Sequence, residues 1–193
     1  MAVLWPQTIY GKIYYLTRLQ AAHINDLWPL ICDDENSRLF LQTYNASCAD
    51  ASDLKRTLAV EEGLDDVATF TIMELHSRKA HGWLRMQANA DDDVLRCAVF
   101  TRAEYRTQLM FDFTYMIGVF TFETARRSRL EARVRSLGCE PLQNYYGFGL
   151  MTTIRRQALV KEQSQKSDLL VTDKAVWPAQ KKVLDLWVNS LVA

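Results

Sequence analysis

Alternation of apolar and polar positions recurs along the chain and is typical of half-buried β-strands. The clearest case is residues 67–75 (VATFTIMEL), where β-branched and apolar side chains occupy both sides of a largely buried strand. The same pattern predicts further strands at residues 8–19, 80–88, 94–100, 130–136, 150–160 and 167–172. Polar turns at residues 76–79 and 89–93 indicate that residues 67–100 form three antiparallel strands.

Apolar residues spaced three and four apart predict helices between these strands. The predicted helices are residues 20–32 with a kink or an end at Pro29, residues 38–42, residues 54–62 capped by Ser52 or Asp53 and ended by Gly63, residues 140–146, and a C-terminal helix that Pro178 begins. There are no internal repeats and no linker. We therefore predict one domain over residues 1–193, with residues 178–193 as a C-terminal helical extension.

The segment from Val94 to Leu130 contains the most informative pattern in the chain for function. It reads as a strand, a loop and a long helix, an arrangement that presents backbone N–H groups and the positive end of a helix to an anion. Between residues 109 and 122 the helix is apolar on every side, so every side has to be covered. Either the C-terminal helix or a partner surface would cover the outer side.

Composition and charge narrow the function classes. Twenty-three basic residues balance 23 acidic ones, which argues against a nucleic-acid-binding protein. The N terminus does not resemble a signal peptide and no apolar stretch is long enough to span a membrane, so we expect a cytoplasmic protein. The four cysteines have no metal-ligand spacing, which predicts reduced, buried thiols and no metal site.

Six short segments resemble motifs of the GNAT family of acyl-CoA-dependent N-acetyltransferases, in particular the branch that acetylates ribosomal-protein N-termini and small amines. In order they read GKIYYLTRLQ, HGWLRM, TRAEYR, RLEARV, YYGF and SDLLVTDKAVW, and they extend over nearly the whole chain. The resemblance implies an α+β fold with α/β/α layers. Its central sheet is mixed and mostly antiparallel, is flanked by helices, and is followed here by a C-terminal helix.

The resemblance also implies a cofactor site. In the family a loop after the fourth strand, written Arg/Gln-x-x-Gly-x-Gly/Ala, brings backbone N–H groups to the pyrophosphate of acetyl-CoA. The corresponding residues here are Arg106, Thr107, Gln108, Leu109 and Met110. Thr107 and Leu109 stand where glycines are expected. Their side chains would disfavour a left-handed backbone and would occupy the space of the phosphates.

Catalytic residues are implied less directly. Tyr145 or Tyr146 could protonate the leaving thiolate, although packing is the simpler explanation for a tyrosine at either position. Glu131 lies where the family commonly has a glutamate, and Glu74, His76 and His81 are further candidates for a general base. The asparagine that the family places after its fifth strand is absent from residues 135–141. Cys139 as a nucleophile and His23 as a catalytic residue are weaker alternatives than structural roles.

Two functions therefore remain open. The first is a GNAT-fold protein with a degenerate cofactor loop and no cofactor, which serves as a structural or protein-binding module of a larger assembly, for example a viral particle. Such an assembly would form in the cytoplasm and would involve a protein partner or self-association. The alternative is an acetyl-CoA-dependent N-acetyltransferase acting on a protein N-terminus or a small amine. Because both expected glycines are missing, the sequence favours the first.

Overall fold

A single eight-stranded sheet forms the centre of the fold. The computed structural model describes residues 3–32, 50–88, 91–101, 106–135, 153–158 and 166–192. The strands are β1 (Thr8–Tyr10), β2 (Tyr14–Arg18), β3 (Val67–Glu74), β4 (Ala80–Gln87), β5 (Val94–Thr101), β6 (Arg129–Arg135), β7 (Thr153–Ala158) and β8 (Lys166–Asp173). They lie in the order β1-β2-β3-β4-β5-β6-β8-β7. Neighbouring strands are antiparallel except β5 and β6, which are parallel.

Helices cover both faces of this sheet. They are α1 (Ala21–Ile31), α2 (Ala51–Glu62), α3 (Arg106–Val119) and α4 (Trp177–Val192), and α3 continues into a wider π-helical turn at Phe120–Thr124. Leucines of α1 and α2 pack with Trp83 and Phe100 on one face. Apolar residues of α3 and α4 pack with β2–β6 on the other face. The α/β/α layering and the mostly antiparallel sheet are therefore confirmed.

The first predicted strand is two strands. Residues 8–19 form the β1–β2 hairpin, with Thr8 opposite Thr17 and Tyr10 opposite Tyr15. The chain turns at Gly11, whose N–H donates to the Tyr14 carbonyl at 2.9 Å. The prediction of one continuous strand was wrong because the turn is stabilised by a distant side chain, Asp112, described below.

The cap of α2 also differs from the prediction. Asp50, rather than Ser52 or Asp53, is the N-cap, and its Oδ1 accepts the N–H groups of Ser52 and Asp53 at 2.8 and 2.9 Å. The helix therefore begins at Ala51, three residues before the predicted start. Acidic and hydroxyl residues are all suitable caps, so the choice among adjacent ones depends on where the chain enters the helix.

The apolar outer side of α3 is covered by α4 of the same chain. The rings of Phe111 and Trp187 stack with centroids 5.2 Å apart and an interplanar angle of 5°. Gly118 lets the Trp177 ring pack directly against the helix backbone. Trp177 Nε1 donates to Glu123 Oε1 at 2.9 Å, and Lys181 Nζ donates to the same oxygen at 2.8 Å. The apolar composition of α3 is thus accounted for without a partner chain.

The other sequence predictions concern two short helices, Pro29, the cysteines and membrane-spanning helices. The predicted helices at residues 38–42 and 140–146 lie outside the described residues. Pro29 lies inside α1, which ends two residues later at Ile31. Cys97 is buried as expected, whereas Cys32 is exposed. Within the described ranges, no helix combines the length and the apolar character needed to cross a membrane.

Candidate functional site

The sheet opens between its two parallel strands. Pairing of β5 with β6 runs from Val94↔Arg129 to Ala98↔Arg133, and beyond this point the described residues of the two strands do not pair. β5 nevertheless continues to Thr101, which remains paired with Gly82 of β4. β6 continues to Arg135, which remains paired with β8. The facing edges of the two strands therefore diverge beyond Ala98 and Arg133.

The positive end of α3 follows the opening closely in the chain, since the helix begins at Arg106, five residues after β5 ends at Thr101. Arg106, Thr107, Gln108, Leu109 and Met110 all have helical backbone in its first turns. The first N–H groups of a helix have no acceptor within it and carry a partial positive charge. Of the five predicted cofactor-binding residues, Arg106, Thr107 and Gln108 thus have amides that can bind an anion, whereas the amides of Leu109 and Met110 come after the first turn.

The backbone of Thr107 and Leu109 is helical, whereas a glycine-type loop would need a left-handed conformation there. Among the described non-glycine residues, positive φ values occur at Arg78 and Arg126. Thr107 and Leu109 are not among them, so neither residue carries the backbone strain that the sequence predicted for a glycine-type loop. A phosphate can bind the N-terminus of a helix through amides in ordinary right-handed conformation. Absence of the glycines therefore causes no backbone strain at Thr107 and Leu109.

Asp112 holds the second turn of α3 against the sheet. Its carboxylate is fully buried and accepts three backbone N–H groups, those of Lys12, Ile13 and Tyr14, each at 2.8 Å. The sequence analysis did not select this residue. A detectable signal was present, because Asp112 is the one charged residue in the apolar stretch from 109 to 122.

Glu131 lies within the paired part of the parallel strands, opposite Arg96 and before the opening. Its Oε2 is 3.2 Å from Arg96 Nε, and its side chain is 17% exposed. Arg96 has a second acidic partner, Asp92, whose Oδ2 is 2.6 Å from Arg96 Nη2. Glu131 thus forms part of an ion-pair network, and its role as a general base stays a prediction.

Glu74 and His81 come together at the edge of the sheet where β5 ends. His81 sits at an irregularity in the β3–β4 pairing, is buried, and has Nε2 3.5 Å from Glu74 Oε2. A hydrogen bond from the Ser77 hydroxyl is the largest cause that lowers the pKa of Glu74, and His81 contributes. Thr101 Oγ1 donates to the His81 carbonyl at 3.2 Å, which connects this pair to the end of β5.

His23 and Cys97, which the sequence analysis also considered, contribute no reactive group to the opening between β5 and β6. His23 is half-buried at the start of α1, where its Nδ1 lies 2.8 Å from Thr71 Oγ1 and accepts the Gln20 N–H at 3.3 Å. Burial lowers its pKa. Because Nδ1 is an acceptor, the neutral ring carries its proton on Nε2. Burial raises the pKa of Cys97 to about 12, so this thiol is unreactive.

Tyr145, Tyr146, Cys139 and the stretch that lacks the expected asparagine beyond β6 lie outside the described residues. Their proposed roles therefore stay predictions. In the described ranges, no group of three or more histidine, cysteine or acidic residues is arranged to hold a metal ion.

Comparison with solved structures identifies the architecture. A GCN5-related N-acetyltransferase from Brucella melitensis superposes with a TM-score of 0.73 at 17% identity, over 96% of this chain and 86% of that chain. The chain has the GNAT fold. No protein-family model and no curated protein matches the sequence.

Two further structures with the GNAT fold are similar to the chain. One is described as a probable acetyltransferase of the GNAT family from Chromobacterium violaceum, with 21% identity, a TM-score of 0.67, and coverage of 92% of this chain and 91% of that chain. The other is a variant of spermidine N-acetyltransferase SpeG from Vibrio cholerae, with 7% identity, a TM-score of 0.67, and coverage of 86% and 97%. At these identities the likeness extends to the GNAT fold and not to a substrate.

Proposed function

We propose that the protein is an acyl-CoA-dependent N-acyltransferase. The observation that carries this proposal is the opening between β5 and β6, which the N-terminal turn of α3 follows five residues after the end of β5. A ligand with an extended thioester arm and a phosphate group fits this combination. The arm can lie between the diverging strands, and the phosphate can accept from helix amides.

The fit of acetyl-CoA depends on backbone groups more than on side chains. The thioester arm would lie in the opening beside the end of β5, and amides of residues 106–108 would bind the pyrophosphate. Bound acetyl-CoA would supply an acetyl group on a thioester, whose transfer to an amine forms a C–N bond and breaks a C–S bond. The chain's own part is to hold the acceptor amine in its neutral form and to return a proton to the departing sulfur.

For the proton steps, Tyr145 or Tyr146 would donate to the leaving thiolate, and water or one of Glu74, His81 and Glu131 would take the proton of the amine. The acceptor would be a protein N-terminus or a small amine, as in the branch that the sequence resembles. Titrating acetyl-CoA in the presence of candidate amines, with product detected by mass spectrometry, would identify it.

Calorimetric titration with acetyl-CoA tests the binding step. We expect micromolar affinity for the wild type. Thr107→Glu places a carboxylate where the phosphates would bind, and it should weaken the affinity by about tenfold or more, which corresponds to about 1.4 kcal/mol. Because an acidic side chain is favourable at a helix N-terminus, this variant should still fold. Ala179→Glu makes the same neutral-to-acid change at an exposed position in the first turn of α4; it is the control and should leave affinity unchanged.

A second function is that of a non-catalytic binding module in a cytoplasmic assembly. It is supported by the identities of Thr107 and Leu109. Thr107 and Leu109 replace glycines, and their bulk would exclude phosphates if the side chains point into the site. No heat of binding at millimolar acetyl-CoA would favour this function and would contradict the acyltransferase proposal. Sedimentation of the wild type across a range of concentrations would then test self-association.

A further inference from the structure

Asp112 is a buried carboxylate whose hydrogen bonds all reach the same short turn. Its Oδ1 accepts the Lys12 N–H, and its Oδ2 accepts the N–H groups of Ile13 and Tyr14, each at 2.8 Å. Burying a charged carboxylate is costly unless it is fully hydrogen-bonded. Three consecutive backbone donors meet this requirement, and bonds to a charged acceptor are stronger than neutral ones.

The turn that supplies these donors is itself attached to the sheet. Ile13 accepts the Leu75 N–H at 2.9 Å through its carbonyl, at the end of β3. Gly11 approaches the carboxylate so closely that a Cβ there would lie 2.5 Å from Asp112 Oδ2. A side chain at this position would therefore push the turn and the carboxylate apart. Asp112 thus connects α3 to a fixed point at the edge of the sheet.

Apolar packing alone does not fix the orientation of α3. The helix is apolar on all sides, and apolar contacts have no preferred direction. Hydrogen bonds do have one, and three of them hold the helix at Asp112. This residue is six positions after the first helical residue, Arg106, which corresponds to about 9 Å along the axis. The bonds therefore fix the rotation and the axial position of the first turn.

We propose that Asp112 is a positioning residue for phosphate recognition: its bonds to residues 12–14 aim the first-turn amides of α3 at the phosphates of acyl-CoA. This inference rests on the proposed function. It assigns Asp112 no contact with the ligand. Its effect should therefore be confined to the phosphate-bearing part of CoA and should leave the thioester arm unaffected.

The test compares two ligands with three variants. CoA carries the phosphates, whereas pantetheine is the same arm without the nucleotide. Asp112→Asn replaces one accepting oxygen by a donor that faces backbone donors, and Gly11→Ala disturbs the same contact while keeping the carboxylate. Leu58→Ala, in the core on the opposite face, lowers stability without touching this contact. Kd values are measured by calorimetry for CoA and by ligand-observed NMR for pantetheine, well below each melting temperature.

We expect Asp112→Asn and Gly11→Ala to weaken CoA binding at least about tenfold and to change pantetheine binding less than about twofold, whereas Leu58→Ala changes neither. Unchanged CoA affinity in Asp112→Asn would overturn the inference, and so would an equal loss for both ligands, which would indicate a purely structural role. If Asp112→Asn does not fold, Gly11→Ala decides by the same criteria. A wild type that binds no CoA would instead refute the proposed function, and this inference with it.

Discussion

Replacing Gly118 with alanine tests how closely α4 packs against α3. A Cβ at Gly118 would lie 2.2 Å from the Cη2 and Cζ3 atoms of Trp177. Contacts between carbon atoms are ordinarily about 3.5–4.0 Å, so the ring would have to move by roughly 1.3 Å or more. Trp177 is 4% exposed, and its Nε1 bonds to Glu123. The ring therefore has little room, and its displacement would also break that hydrogen bond.

The expected loss of stability follows from two opposing effects. Overpacking a buried site costs up to about 3 kcal/mol. Alanine is better than glycine in a helix interior by about 1 kcal/mol. We therefore expect Gly118→Ala to lower the free energy of unfolding by about 2 kcal/mol. For a chain of this size, that corresponds to a melting temperature about 4–8 °C lower.

Urea and thermal unfolding, followed by circular dichroism, would measure this loss. Gly63→Ala is the matched control, because its Cβ would meet only the Val60 carbonyl at 3.5 Å; we expect it to be neutral or slightly stabilising. In a Trp177→Leu background the clash is removed, so Gly118→Ala should become stabilising by about 1 kcal/mol. A Gly118→Ala variant as stable as the wild type, or one with the same loss in both backgrounds, would refute the packing of Trp177 on Gly118.

Three further predictions concern buried polar and titratable groups. The buried Thr121 hydroxyl has no hydrogen-bond partner among the described residues, so Thr121→Val should raise the free energy of unfolding by about 1 kcal/mol, and a clear loss would reveal a hidden partner. Burial raises the pKa of Glu61, whereas a hydrogen bond from Lys181 lowers the pKa of Glu123. Between about pH 3 and pH 7 the folded state therefore holds the Glu61 proton more tightly than the unfolded chain does, and the Glu123 proton less tightly. As pH rises, the wild type should lose stability relative to Glu61→Gln and gain stability relative to Glu123→Gln; slopes of the same sign in urea unfolding would contradict this. Finally, peptide mapping after brief alkylation at pH 8 should find Cys97 unmodified in the folded protein and modified after unfolding.

Sequence patterns predicted an element correctly where the spacing of its own apolar residues shows how it is buried. Strands β3, β4, β5, β6 and β8 lie within one or two residues of their predicted bounds, because period-two alternation identifies a strand buried in a sheet. α4 was also predicted from the helical spacing of its apolar stripe, although it begins at Trp177, one residue before the predicted start at Pro178. The choice between α4 and a partner as the cover of α3 was left open, and only the packing of Trp177 and Trp187 resolved it.

Less of the candidate site than of the fold could be predicted from the sequence. Arg106 to Met110 were selected because they follow a strand and precede a helix, and the structure places them in the first turns of α3. Strain at Thr107 and Leu109 was expected only for a left-handed loop, and the structure has helical backbone at both residues instead. Asp112 was missed because a single acidic residue in an apolar helix has no local partner that identifies its role.

By itself, the amino-acid sequence determined the kind and order of the described elements after the first hairpin and which of their faces are apolar, since these depend on side chains a few residues apart. Only the tertiary structure decided where the sheet opens, where the first strand divides and how α3 is oriented. Each of these depends on bonds between residues far apart in the chain, such as those from Lys12, Ile13 and Tyr14 to Asp112, which span about 100 positions. Such bonds leave no periodic pattern, because both partners become neighbours only when the chain has folded.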